Sequence, residues 1–274
     1  MFQIGVKYVK VMEQVVLPTF VIVLLTLSPF VSHALAQDDK KPREGLTAPD
    51  YVRVGDADDS KCHPPIDLSK PQYIVGYGSL MQTDSKRGTE PDAGENLPVM
   101  VNGFQRAWNT HGVFPTCYLG VQQSKSAKMV AAIYRSFPKK GVLSADAREI
   151  DYCRVAVDRD SVTMLDGSQV PANSQIWIYV NKPETIAVPD AGNPIVQSYV
   201  DIVITGCLEL QQLVKDPEVD FVEQFVKTTD GWSKHWVNDR LYPRRPYIHQ
   251  PNAWEIDSNL KRHVGKLYEN ITIE

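Results

Sequence analysis

Tyr73-Ile74-Val75-Gly76-Tyr77-Gly78-Ser79-Leu80-Met81 decides the fold. Val, Ile and Tyr favour a pleated strand, and a glycine-serine step then breaks it, because Gly78 adopts backbone shapes other residues resist. A turn at a strand end aims successive backbone N–H groups at one point, which makes a small cradle for an anion or an oxyanion. Most strand-to-turn junctions do only structural work, and taken alone the stretch fits that reading better.

Ahead of it the chain has two parts. Lys7 and Lys10 precede an apolar run from Val15 to Val31, followed by Ala34-Leu35-Ala36. A basic start, an apolar centre and a small-x-small site predict a signal peptide over residues 1–36 and export to a secreted or periplasmic location. The alternative is an uncleaved anchor; Pro18 and Pro29 interrupt the run, which lies near the short end of the ~17–25 residues a span needs. Residues 37–70 read as a flexible leader, charged and without periodicity up to Lys61, then proline-punctuated at Pro64, Pro65 and Pro71.

After the turn, Gln82 to Asn96 reads as a long polar loop. Val99 to Asn109 alternates, placing Phe104, Arg106 and Trp108 on one side of a strand. Tyr118 to Val121, Met129 to Tyr134, Tyr152 to Val157, Val162 to Leu165 and Ile176 to Val180 are further strands, with Asp166-Gly167 a hairpin signal. Leu143 to Ile150 has helical spacing, with Ser144 as its cap. Residues 71–182 therefore form the predicted core and residues 183–274 a helical extension packed on it. In that extension Asn193-Pro194 opens one helix and Asp216-Pro217 a second, and Asp257 to Leu267 forms a last one. Short strands around one helix, then helices, give an α+β class rather than alternating βαβ.

Several chemistries find no support. Gly76-Tyr77-Gly78 lacks the third glycine of a dinucleotide fingerprint, and Met81 stands where a serine-hydrolase elbow needs Gly. His63, His111, His235, His249 and His263 form no ligand pair, and no cysteine pair has zinc spacing, so no metal is predicted. The formal charge of −4 comes without a basic patch, which argues against nucleic acid. Cys62, Cys117, Cys153 and Cys207 allow three full disulfide pairings, none of which the spacing selects.

One combination remains. The Tyr77-Gly78-Ser79-Leu80 turn is followed by Gly103-Phe104-Gln105-Arg106-Ala107-Trp108 and then by Asp146-Ala147-Arg148-Glu149-Ile150-Asp151-Tyr152-Cys153-Arg154. In that order these segments resemble the γ-glutamylcyclotransferase-like superfamily, over about Tyr73 to Val157. The resemblance implies a small mixed β-barrel of about five to seven strands with flanking helices. It implies release of 5-oxoproline from a γ-glutamyl amine or peptide, with Glu149 as the catalytic acid/base. Tyr77, Gly78, Ser79, Leu80, Tyr152 and Arg106 would then bind the substrate. No cofactor is needed, because the nucleophile belongs to the substrate. Three departures stand out: Leu143-Ser144-Ala145-Asp146 is looser than the family's L-D pair, the Trp/Arg-rich C-terminal segment is not family-wide, and the family's best-known members are cytosolic.

Two other functions compete. Glu149 also fits a solvated helix residue paired with Arg148 or Arg154, and the fold would then serve as a non-catalytic small-ligand binder. Trp232, Trp236, Tyr242, Arg244 and Arg245 also fit a partner-binding hot spot.

Overall fold

A computed structural model describes residues 62–112, 114–137, 139–245 and 252–274. The proposed signal peptide and the leader up to residue 61 lie outside the described residues.

The architecture is α+β, built on a mixed sheet of seven strands. Its centre is β1 (Gln72–Gly76), paired antiparallel with β3 (Cys117–Ser136) and parallel with β6 (Gln175–Asn181). With β2 (Leu97–His111), β4 (Tyr152–Ala156) and β5 (Val162–Met164), the order is β4-β6-β1-β3-β2-β5. A central strand is buried on both faces, and the Ile74-Val75 pair that suggested a strand is wholly buried there.

Three expectations about the sheet change. Among the described residues no pairing joins β4 to β5, so the sheet is not found closed into the expected barrel. The two strands read at Tyr118–Val121 and Met129–Tyr134 are one, because β3 runs on through its exposed polar middle alongside β2. The register slips at Gly103 (φ +85°), where residues 124–127 bulge out between the pairs Asn102–Lys128 and Phe104–Gln123. Asp166-Gly167 does turn the chain, with Gly167 at φ +79°, yet it closes no hairpin: β5 pairs with β2, and β6 with β1 and β4.

The helices are α1 (Thr83–Arg87), α2 (Lys140–Arg148), α3 (Gln197–Gln211), α4 (Phe221–Lys227) and α5 (Ala253–Tyr268). α1 falls in what reads as loop; the Gln82 side chain accepts from Ser85 N at 2.7 Å and caps it. Ser144 caps nothing, since α2 has already begun at Lys140, and its hydroxyl donates to Thr89 O. Asn193-Pro194 leads first into β7 (Ile195–Val196), and Asp216-Pro217 precedes α4, whose cap is Asp220.

Residues beyond 182 enter the main core. β8 (Thr229–Asp230) pairs with β2, and β7, β9 (Trp236–Asn238) and β10 (Thr272–Ile273) form a small parallel sheet. α3 carries apolar residues all round and is buried. It approaches the glycine turn so closely that a β-carbon on Gly206 would lie 2.7 Å from Gln82 N. Its Glu209 accepts from Thr83 N and Oγ1 at 2.9 and 2.6 Å, holding the start of α1. Cys62 and Cys153 form a disulfide that ties the chain ahead of β1 to β4, and Cys117 and Cys207 are free and buried. Among the described residues no helix is long and apolar enough to cross a membrane.

Candidate active site

β1 stops at Gly76, and the chain passes through Tyr77 and Gly78 into a tight 3-10 turn, Ser79–Met81, closed by Met81 N donating to Gly78 O at 3.0 Å. Tyr77 is buried, and its hydroxyl donates to Tyr179 O at 2.7 Å. Tyr152, the first residue of β4, donates to Leu119 O at 2.8 Å. Both phenols titrate well above the ordinary tyrosine range because burial disfavours the phenolate, so they act as fixed donors.

Glu149 occupies the C-cap of α2, with its N–H donating to Ala145 O and its carbonyl accepting from Tyr152 N. Its side chain is 15% exposed. Burial raises its pKa above the ordinary carboxylate range; Arg148 and then Arg245 oppose the shift, and Asp151 adds to it. The helix C-terminus, where unpaired carbonyls concentrate negative charge, works in the same direction as burial. Arg148 Nε stands 3.3 Å from Glu149 Oε1. The rest of that guanidinium donates to Ser79 Oγ at 2.9 Å, to Ser85 O and Oγ, and to Thr89 Oγ1. One arginine thus links the acid to the glycine turn.

A cavity of about 550 Å³ lies over this arrangement, lined by Ser79, Ser85, Arg148, Glu149, Asp151, Tyr152, Tyr118, Tyr199 and Arg245 among others. A recess of about 20 Å³ shares Ser79, Glu149, Tyr152 and Tyr199 with it, and adds Tyr77, Gly78, Leu80, Leu119 and Tyr179. Six of the seven residues singled out from the sequence line one or both spaces: Glu149, Tyr77, Gly78, Ser79, Leu80 and Tyr152.

Arg106 is the exception. It is fully buried and lines neither space. Its guanidinium donates to Val130 O at 2.7 Å, Tyr77 O at 3.3 Å, Phe225 O at 3.1 Å and the hydroxyls of Thr229 and Thr228. It also lies 4.0 Å over the Phe225 ring. Burial draws its pKa down to about 9, which leaves it protonated at neutral pH. Arg106 stays on the side it shares with Phe104 and Trp108, and its guanidinium is taken up by oxygens of the wall instead of facing the cavity.

Tyr199, Tyr118, Arg148 and Arg245 also line the cavity and were not marked as site residues. Tyr199 sits in an apolar helical repeat, which reads as core. Arg148 stood out only as a surface partner for Glu149. Arg245 belongs to the Trp/Arg-rich segment, which splits on folding: Trp236 is buried, Trp232 packs at 5.2 Å from both Trp108 and Trp236, Arg244 pairs with Glu274, and Tyr242 is 80% exposed. Arg154 is buried too, 2.8 Å from Asp146 and 4.4 Å over the Trp177 ring. Among the described residues no group of three or more His, Cys, Asp or Glu could hold a metal ion.

No protein-family model matches the chain, and no curated protein does. Solved structures do. A γ-glutamyl cyclotransferase is 15% identical, with a TM-score of 0.44, over 70% of this chain and 99% of that one. The human uncharacterized protein loc79017 is 15% identical, with a TM-score of 0.41, over 55% of this chain and 91% of its own. A yeast γ-glutamyl cyclotransferase specific to glutathione is 11% identical, with a TM-score of 0.34, over 72% and 97%. At these identities and TM-scores the likenesses assign this chain no family and none of its residues a role.

Proposed function

We propose that this protein is a γ-glutamylcyclotransferase-like enzyme that releases 5-oxoproline from a γ-glutamyl amine or peptide. The observation that carries this reading is the shared recess: the largely buried carboxylate of Glu149 and the Tyr77–Leu80 turn line one small space. In such a substrate the free α-amine attacks the γ-carbonyl, closes a five-membered lactam and expels an amine. Glu149 takes the proton from the α-ammonium and later returns it to the leaving amine. An ordinary Glu, near ~4.3, is too acidic for this, and a raised pKa suits it better. Gly78, Ser79 and Leu80 offer backbone N–H groups to the oxyanion and the substrate carboxylate, where losing one donor typically costs ~10²–10³-fold. Arg148 keeps the ionised carboxylate from becoming too costly to bury.

Export completes the proposal. Residues 1–36 would be removed, and an oxidising compartment suits the Cys62–Cys153 disulfide. Secretion of a full-length reporter fusion, with N-terminal sequencing of the product, tests this directly.

The Arg148–Glu149 contact also favours a second reading, a ligand-binding module whose acid is neutralised by its neighbour. Kinetics separate the two. Protein incubated with a broad panel of γ-glutamyl dipeptides, γ-glutamyl amides and glutathione is expected to release 5-oxoproline, detected by mass spectrometry. Glu149→Gln is expected to lose most of the rate. Absence of turnover across the panel leaves only the binding module, and full activity in Glu149→Gln removes Glu149 from the chemistry.

A further inference from the structure

Arg106 reaches the recess without entering it. Its Nη1 lies 3.3 Å from Tyr77 O, and Tyr77 C=O and Gly78 N–H are the two ends of one peptide unit. Gly78 lines the recess. A donor on an amide oxygen draws electron density through the peptide resonance and makes the N–H at its other end a stronger donor. The guanidinium is wholly buried, so this polarisation acts in a low-dielectric setting.

The partners of Arg106 matter as much as its position. They are the carbonyls of Tyr77, Val130 and Phe225, two threonine hydroxyls and one aromatic ring. Among the described residues no carboxylate forms a salt bridge with it. A glutamine has two N–H donors for these five oxygens, so the arginine both fills the acceptors and brings a buried charge that a neutral side chain would not. That charge stands 3.3 Å from the carbonyl of the peptide whose other end lines the recess, where a negative charge would develop.

We infer that Arg106 is a positioning residue, whose uncompensated charge strengthens the Gly78 N–H toward an anionic oxygen through the Tyr77–Gly78 peptide. This rests on the recess being the γ-carbonyl site proposed above. The probe is 5-oxoproline labelled with ¹³C at its ring carbonyl, bound to the full chain and read by Raman difference spectroscopy. Its C=O stretch is expected at lower frequency in the wild type than in water. Arg106→Gln, which keeps a donor for the buried carbonyls and removes the charge, should move the band back toward the water value, with Arg106→Lys in between. In parallel, kcat in Arg106→Gln is expected to fall about tenfold, less than the loss of a direct donor. If Arg106→Gln does not fold, a band in Arg106→Lys displaced from the wild type carries the same test. A band that stays in place in the folded variants, with 5-oxoproline still being formed, overturns the role of Arg106 alone. Failure of 5-oxoproline to bind the wild type overturns both this role and the cradle.

Discussion

Tyr199 Oη occupies the space that a side chain on residue 78 would need: a β-carbon built on Gly78 would lie 2.8 Å from it. A helix residue more than a hundred positions downstream thus sets which residue the turn accepts. Gly78→Ala is expected to push the turn out of shape and lower kcat/KM about a hundredfold, the low end of what losing one oxyanion donor costs. Tyr199→Phe removes the clashing atom. In a double-mutant cycle it should recover part of that loss, and strictly additive effects would show that the two residues are not coupled.

Burial raises the pKa of Glu149, so ionisation at neutral pH costs folding energy. For an acid whose folded pKa lies above its unfolded one, that cost is absent below the unfolded value, grows as pH rises between the two, and is constant above both. Glu149→Gln should therefore raise Tm at pH 7 while abolishing turnover, and the gain in Tm should shrink toward zero as pH falls below ~4, under the ordinary Glu value. Thermal unfolding followed across pH checks this. A gain independent of pH would mean that the ionised form of Glu149 is not penalised by folding.

Arg148 opposes that shift from 3.3 Å. Deleting its charge in Arg148→Met should move the acidic limb of the kcat/KM profile to higher pH. The rate on the plateau should also fall, about tenfold or more, because Ser79 loses its 2.9 Å donor. A limb that does not move would remove Arg148 from the electrostatics of the site.

The Cys62–Cys153 disulfide spans a separation of 91 residues. Reduction, or Cys62→Ser, is expected to lower unfolding stability by about 2–4 kcal/mol, measured by denaturant titration. Cys153 adjoins Tyr152, so the KM for substrate is worth following in the same samples.

Asp239 accepts from Ser198 N and Oγ, both at 2.7 Å, and so caps α3 one residue ahead of Tyr199. Asp239→Ala should cost about 1–2 kcal/mol of stability. It should also raise KM more than it lowers kcat, because the ring of Tyr199 loses its fixed place. Equal KM in the variant and the wild type would separate the cap from the site.

The same cap shows what the sequence could and could not reveal. β1, the glycine turn and Glu149 are local signals: a β-branched run, a residue without a side chain and an acid at a helix end can be read from their neighbours. Arg106 could be placed beside Phe104 and Trp108 on one side of an alternating strand, but its burial was not legible, because its contacts with Phe225, Thr228 and Thr229 come from distant chain. The start of α3 was misread for the same reason. Its capping carboxylate comes from residue 239, and no local pattern announces it. Tyr199 and Arg245 obey patterns that mean core and surface elsewhere, and only the tertiary arrangement turns them toward the cavity.

Because α3 supplies Tyr199 and the later chain supplies both its cap and Arg245, the part of this molecule that bears Glu149 and the glycine turn cannot be cut free at residue 182 with its cavity intact. A shortened gene stopping there would encode the acid and the glycine turn but no far wall to face them. Evolutionary changes in the tail of the protein would then be felt first as changes in what the pocket admits.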